Sequence, residues 1–316
     1  MRARIYKSAK RDFDCKIMDA DKLVSACAHG NLLKGKESLV VGDYVELEQN
    51  EQGEYLITGR EERENEIFRV IVREQKKKVT AANCDHMVIV TSVSKPEFKR
   101  GIVDRYLIRA FQWGIYPLVI FNKMDEHKRE EVDIKFEQQR LQAAGVRCFE
   151  MTAKNADYRP LYLTESLAEL KQTLNNKTSI FLGQSGVGKS KIISQVCDGD
   201  VYLKSNSIGK SGKGAHTTTW SEIVDCDSLQ LIDSPGIRSF SVEDILPAEL
   251  IELFPDLELI ANQCKFRNCA HGEGIKGCAF WTNQRGELEN KYVLSRLESY
   301  RKILEEISQT PGWNKI

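Results

Sequence analysis

The sequence predicts a multidomain chain: a small N-terminal β-barrel, a central doubly wound α/β domain, and a mainly helical C-terminal domain built around a metal-type cluster. Three observations predict it. Residues 1–75 carry short β-rich runs broken by polar turns. Residues 79–239 alternate apolar strands with amphipathic helices, the pattern of a sheet covered on both faces. Residues 240–316 turn helical and gather Cys264, Cys269, His271 and Cys278 in one loop.

The barrel reading rests on Ser38-Leu39-Val40-Val41, the Gly42-Asp43 turn and Tyr44-Val45-Glu46-Leu47. Further runs lie at Glu54–Ile57 and Ile67–Val72. Strands this short between turn residues suit a small barrel. Lys76-Lys77-Lys78 then reads as a basic hinge. In the middle segment, Met87–Val90, Leu118–Phe121, Ser179–Leu182 and Leu229–Ile232 read as buried strands that lead into loops, with another at Val146–Met151. Val103–Trp113 and Val132–Ala144 have helical periodicity. The last segment ends in a charged helix expected over Glu287–Ile307.

Composition excludes some classes. Apolar residues make up 41 %, enough for a real core. Lys plus Arg equals Asp plus Glu at 46 each, so a nucleic-acid contact would have to come from local patches. No signal-peptide core and no bilayer-length apolar stretch is visible, so no membrane partner is expected. Nine cysteines, six of them scattered singly (Cys15, Cys27, Cys84, Cys148, Cys197, Cys226), argue against a disulfide scaffold and for a cytoplasmic protein with reduced thiols.

The sharpest chemical signal is Gly183-Gln184-Ser185-Gly186-Val187-Gly188-Lys189-Ser190, two glycines bracketing four residues and followed by Lys and a hydroxyl. Consecutive backbone N–H groups can wrap a phosphate only where side chains do not obstruct them, hence the glycines. The following helix aims its positive end at the same phosphates. Lys189 is expected to reach the outer phosphates, and Ser190 to ligate Mg²⁺. Asn122-Lys123-Met124-Asp125 chooses the base. A carboxylate at Asp125 can accept from guanine N1–H and the exocyclic amino group, a pair that adenine lacks on that edge. Thr152-Ala153-Lys154 resembles the turn whose backbone N–H meets the base carbonyl in translation-factor-type GTPases.

Asp233-Ser234-Pro235-Gly236 follows a strand and fits the switch that senses a γ-phosphate, with Asp233 holding Mg²⁺ through water and the Gly236 N–H on the phosphate. Lys213–Thr219 fits a first switch, in which Thr218 is the favoured Mg²⁺ ligand. The guanine motifs precede the phosphate loop, the reverse of the ordinary chain order, which implies a circularly permuted α/β P-loop GTPase domain. Where many GTPases carry a water-orienting Gln, this chain has Ile237, which cannot hydrogen-bond through its side chain. His216 is the histidine of the switch loops and the candidate catalytic group, the alternative being a group supplied by a partner.

The Cys-x4-Cys-x-His-x6-Cys spacing suits one structural Zn²⁺ in a closed tetrahedral site. Lys265, Arg267, Lys276 and Arg285 beside Phe266, Phe280 and Trp281 offer cations next to aromatic faces, a surface that suits RNA.

Together these motifs resemble the RsgA family (also called YjeQ or EngC), and Ala81-Ala82-Asn83 and Asp104-Arg105-Tyr106 add to the likeness. The resemblance covers residues 79–285 well and is thin in the barrel, where Val41–Val45 alone is family-like and Cys15–Gly30 departs. It implies an OB-like barrel and the use of His216. It also implies a GTPase that binds the small ribosomal subunit and its rRNA late in assembly and leaves as GTP becomes GDP. A monomer is expected. Two other readings stay open: a GTP-dependent RNA-binding switch with little hydrolysis of its own, and a metabolite kinase. No substrate pocket or general base for a kinase is identifiable beside the loop.

Overall fold

Along β2 (Asp12–Ile17) the residues Phe13, Cys15 and Ile17 alternate inward, the period of a strand with one face in a core. The same logic builds β1 (Arg2–Ala9), β3 (Lys22–Ala28), β4 (Tyr44–Gln49) and β5 (Tyr55–Arg60). They pair in the order β1-β2-β3-β5-β4, and β4 returns to β1 at Ala3 opposite Val45, closing a five-stranded barrel. Ala3, Ile5, Phe13, Cys15, Leu47 and Ile57 fill it. The computed structural model describes residues 1–9, 12–28, 38–71, 76–128, 131–199, 222–233 and 241–309.

Of the runs expected as barrel strands, one is not a strand although its Leu39 packs into the barrel core, and another lies outside the barrel. Ser38–Val41 is not a strand and makes one bridge, from Val41 to Ala81. The Asp43 carboxylate accepts from Val40 N at 2.8 Å, and Gly42 turns with φ +91° against Ala82. The Ile67 run forms β6 (Glu66–Ile71), which pairs with β7 (Lys76–Ala82) as a separate hairpin. Lys76-Lys77-Lys78 therefore opens a strand and is not a hinge. The reason is where the apolar side finds cover: Ile67 and Ala81 join the core of the second domain, and the Phe68 ring meets Trp113 edge-on at 6.2 Å.

That domain runs β8 (His86–Ser92), α1 (Arg100–Trp113), β9 (Tyr116–Asn122), α2 (Ile134–Gln142), β10 (Arg147–Glu150), α3 (Leu167–Leu174), β11 (Thr178–Leu182), α4 (Lys189–Val196), β12 (Glu222–Cys226) and β13 (Leu229–Asp233). Its strands lie in the order β10-β9-β8-β11-β13-β12, all parallel except β12 against β13. Pro117 to Asn122 are all buried because both sheet faces are covered, as parallel sheets require. Met87 and Ile89 pack toward α1, while Val88 and Val90 pack on the other face with Leu170 of α3 and Ile192 of α4. The chain lays down β8, β9 and β10 before β11, the strand that leads into the glycine-rich loop. That is the permuted order the motifs implied.

The sheet continues into the barrel through β1 and β12, paired at Lys7 and Glu222. Buried Arg4 fastens this joint, donating to Thr178 Oγ1 and the Asn83 carbonyl at 2.7 Å each and to Gln230 Oε1 at 2.5 Å. The C-terminal part carries α5 (Pro255–Ala261), α6 (Ala279–Thr282) and α7 (Glu287–Gln309) around Leu250, Phe254, Phe280, Leu297 and Ile303. Among the described residues no helix is long and apolar enough to cross a membrane.

One cysteine expectation is corrected. Cys197 and Cys226, expected as reduced singletons, are joined in a disulfide. The end of α4 packs beside the β12–β13 turn, which brings the two Cα atoms to 5.4 Å across 29 residues of chain, within bridging range. Cys15, Cys27, Cys84 and Cys148 are free.

Candidate nucleotide site and metal cluster

Parallel strands end on one edge of their sheet, and ligands bind there where the strand order reverses. Four of the sequence motifs sit on that edge. Asn122 closes β9, Met151 and Thr152 follow β10, Gly183 follows β11 and Asp233 closes β13. Distant stretches of chain are thereby brought together.

Asn122 is buried and ties two of the loops. Its Nδ2 donates to Val187 O at 2.6 Å, inside the glycine-rich loop, and its Oδ1 accepts from Ala153 N at 2.9 Å. Gly188, with φ +100°, passes so close that an added Cβ would lie 2.4 Å from Asn122 Nδ2. Lys123 adopts a left-handed backbone, and its ammonium donates to the Lys95 carbonyl. Asp125 accepts from Thr152 Oγ1 at 2.6 Å and from Lys154 Nζ at 2.9 Å. Partial burial pushes the Asp125 carboxyl up, but the Thr152 hydroxyl and the Lys154 ammonium outweigh it and hold it below the usual carboxylate range. Lys154 also reaches Glu126 at 2.5 Å, and the two carboxylates, Glu126 first, raise its pKa.

In the glycine-rich loop, Gly183 leaves no room for a side chain: an added Cβ would meet Val90 O at 2.2 Å. Lys189 Nζ arches back over the loop and donates to Gly183 O at 2.6 Å and Gln184 O at 2.9 Å. Gln184 is half-buried, Ser185 and Gly186 are exposed at the tip, and Val187 is buried beneath them. Ser190 is exposed in the first turn of α4, while Asp233 is buried at the end of the neighbouring strand. His216, Thr218 and Gly236 lie outside the described residues.

Cys264, Cys269, His271 and Cys278 converge, with one ligand atom from each lying within 4.8 Å of all the others. His271 Nδ1 is 3.6 Å from Cys264 Sγ and 3.8 Å from Cys278 Sγ. A tetrahedral metal with bonds of about 2.3 Å to sulfur and about 2.0 Å to nitrogen sets that edge near ~3.6 Å, so the spacing fits. The Trp281 indole donates to His271 O at 3.2 Å and Phe280 stacks edge-on, which fixes the ring. Burial pushes the His271 imidazole down, favouring the neutral form that binds metals.

A family model described as RsgA GTPase matches residues 60–243, more than half of the chain. The chain belongs to the RsgA GTPase family. A relative in Flavobacterium psychrophilum, named small ribosomal subunit biogenesis GTPase RsgA, is 32 % identical over 286 residues, which cover 88 % of this chain and 83 % of that protein. One from Oceanobacillus iheyensis, RsgA 2 of the same description, is 32 % identical over 92 % of each chain. Two solved structures share the fold: YjeQ from Thermotoga maritima (22 % identity, TM-score 0.73, covering 98 % of this chain and 99 % of that one) and YloQ, titled a circularly permuted GTPase (23 %, TM-score 0.73, 98 % and 96 %). The five-stranded barrel, the permuted domain and the helical C-terminal part of this RsgA-family chain follow that architecture.

Two residues at the site escaped the motif reading. Glu150, fully buried at the end of β10, accepts from Tyr158 Oη at 2.6 Å and from the backbone N–H groups of Leu161, Tyr162 and Leu163 at 2.8 Å each. It thereby anchors the loop that follows Thr152–Lys154. An acid closing the apolar run Cys148–Phe149 was the available signal, since such a group must find donors when buried. Ser94 donates to Glu126 at 2.6 Å, joining the loop after β8 to the same corner; nothing in its sequence marks it.

Proposed function

We propose that this chain hydrolyses GTP to GDP and phosphate on the small ribosomal subunit, assisting a late stage of its assembly. The carrying observation is the Asn122 side chain, which joins the phosphate-type loop at Val187 to the Thr152 turn at Ala153. A base reader and a phosphate cradle are thus held at one spacing, suited to a single nucleotide. Asp125 accepts from the two guanine donors, with the Ala153 and Lys154 backbone beside the base carbonyl. The backbone of Gly183 to Gly188 wraps the phosphates, and Lys189 exchanges its loop carbonyls for phosphate oxygens.

Ser190 and Asp233 are hard oxygen donors on neighbouring elements, which fits Mg²⁺. Ser190 and Thr218 would hold the ion, with Asp233 acting through water, and it would neutralise charge developing on the transferred phosphoryl oxygens. The Gly236 N–H senses the γ-phosphate, and His216 orients the attacking water, Ile237 being unable to. The Cys264/Cys269/His271/Cys278 cluster holds one structural Zn²⁺, and the surrounding cations and rings meet rRNA. The protein works as a cytoplasmic monomer. The relatives' names, which speak of small ribosomal subunit biogenesis, support the partner.

The test is GTP turnover with and without purified small subunits, beside co-sedimentation with a non-hydrolysable GTP analogue. Stimulated turnover and analogue-dependent co-sedimentation are expected. Binding without turnover would instead make the protein an RNA-binding switch, and a phosphorylated metabolite would make it a kinase.

A further inference from the structure

One cation sits between two carboxylates at the corner that reads the base. Asp125 and Glu126 are successive residues of a short 3-10 turn, Met124–Glu126, whose Met124 N–H donates to the Met151 carbonyl just past β10. Thr152 and Lys154 stand on the loop that follows. The Lys154 ammonium donates to Asp125 Oδ2 at 2.9 Å and to Glu126 Oε1 at 2.5 Å. Glu126 is held in its turn. Its Oε2 accepts from Ser94 Oγ at 2.6 Å, and the Ser94 N–H donates to Ser92 Oγ at the end of β8.

Asp125 is met from two sides. Buried Thr152 reaches Oδ1 from the protein side. Lys154, with 56 % of its side chain exposed, reaches Oδ2 from the solvent side, through which a base must enter. A guanine that brings its N1–H and 2-amino group to this carboxylate therefore meets the ammonium first. Displaced into water alone, the ammonium would forfeit its ion pair. Displaced from Asp125 but still on Glu126, it keeps the shorter of its two contacts. The Lys154 ammonium, and after it the Ser94 hydroxyl, hold the Glu126 carboxyl below its usual range, so the charge is present at neutral pH.

We propose that Glu126 is a positioning residue for guanine recognition: it retains the Lys154 ammonium when the base takes Asp125, and so eases clearing of the site. This rests on the nucleotide reading above. The field of the charge alone predicts the opposite sign. A nucleotide is an anion, so removing a nearby carboxylate would by simple Coulomb repulsion tighten binding. Retention of Lys154 predicts weaker binding, because a neutral side chain at 126 leaves the ammonium on Asp125, in the path of the base.

The experiment titrates the full chain with fluorescent GDP and a fluorescent non-hydrolysable GTP analogue. Glu126→Gln is expected to weaken both nucleotides by the same factor, roughly twofold to fivefold, the size of an exposed ion pair. The factors should be equal because the two ligands share the base. In a Lys154→Met background the Glu126→Gln penalty should vanish, since no ammonium is left to retain. Glu126→Ala and Lys154→Gln are the second variants if either substitution does not fold. Unchanged or tighter binding in Glu126→Gln overturns the proposal while leaving the GTPase reading intact. So does a penalty that survives in the Lys154→Met background, or one confined to a single nucleotide. Failure of the wild type to bind either nucleotide would overturn both.

Discussion

Asp125 and Asn122 lie three positions apart and do different physical work. Asn122 has both ends of its amide engaged by protein, at Val187 O and Ala153 N, so it is a strut between loops. Asp125 keeps an ionised carboxylate whose partners, Thr152 and Lys154, are side chains that can move away when a base arrives. Asp125→Asn should weaken GTP by roughly a hundredfold, since two charge-assisted hydrogen bonds are lost and an N–H now faces an N–H. Xanthosine triphosphate, with a carbonyl at the 2-position, should bind the variant better than GTP does. Competition binding with the two nucleotides checks this, and retained tight GTP binding would remove Asp125 from base selection. His216, which lies outside the described residues, poses the same kind of question for the proposed attack on the γ-phosphate. With Ile237 unable to hold water, His216→Ala is expected to lose about a hundredfold or more of subunit-stimulated turnover while GTP affinity stays within about twofold. Undiminished stimulation would hand water positioning to the ribosome. The motif spelled out Asp125 and its reason. It did not reveal the strut role of Asn122, because that depends on which carbonyl lies across the cleft.

At the scale of elements, legibility followed how completely a segment is buried. Strands β8, β9 and β11 were readable because a sheet covered on both faces demands an unbroken apolar run. The helices α1 and α7 were readable from period, and their extents differ from expectation by only a few residues. The barrel was harder, since β1, β2 and β3 carry one apolar face interrupted by Lys, Asp and Arg, a pattern that surface loops share. The β6–β7 hairpin was misassigned for another reason: sequence gives a strand's apolar side but not which core receives it. Ile67 and Ala81 went to the central domain because Trp113 offered cover there. The convergence of Cys264, Cys269, His271 and Cys278 was legible because the four side chains are local in sequence and their spacing suits a metal. It leads to a prediction about metal. One zinc per chain should co-purify, and its removal by a strong chelator should unfold the region around α6 while leaving the central sheet intact. His271 packs against Phe280 and Tyr300, so loss of the ligand set frees part of the C-terminal core. Elemental analysis beside hydrogen exchange checks both halves. A zinc-free protein with α6 fully protected would reject the structural role.

The whole molecule is held together by buried charge at its domain joints, which a sequence cannot disclose because the partners lie far apart in the chain. Arg4 rivets the barrel to the sheet. At the other joint Asp104, fully buried on α1, accepts from Arg140 of α2 at 3.1 Å and from Arg296 of α7, which in turn donates to Asp256 at 2.8 Å. Burial pushes the Asp104 carboxyl up, but Arg296, Arg140 and Ser299 outweigh it and hold it below its ordinary value. A buried pair such as this adds little beyond well-packed apolar residues, but removing one member strands the other charges. Asp104→Ala should therefore cost roughly 3 kcal/mol, because Arg140 and Arg296 lose the carboxylate they share and keep only Glu137 and Asp256 respectively. The sign of the pH dependence follows from the depressed carboxyl. Its contribution is complete above the unfolded value, about 4 for an aspartate, and is lost progressively as pH falls from there to the lower folded-state value. Urea unfolding of wild type and Asp104→Ala should show the same gap at pH 7 and pH 5, closing progressively below about pH 4. Trp113 reports the sheet side of the joint and Trp281 the C-terminal side. Single-tryptophan versions should unfold together in the wild type and separately in Asp104→Ala, the C-terminal side first. Coincident transitions in the variant would mean that apolar contact through Ile108 alone keeps the two domains one cooperative unit.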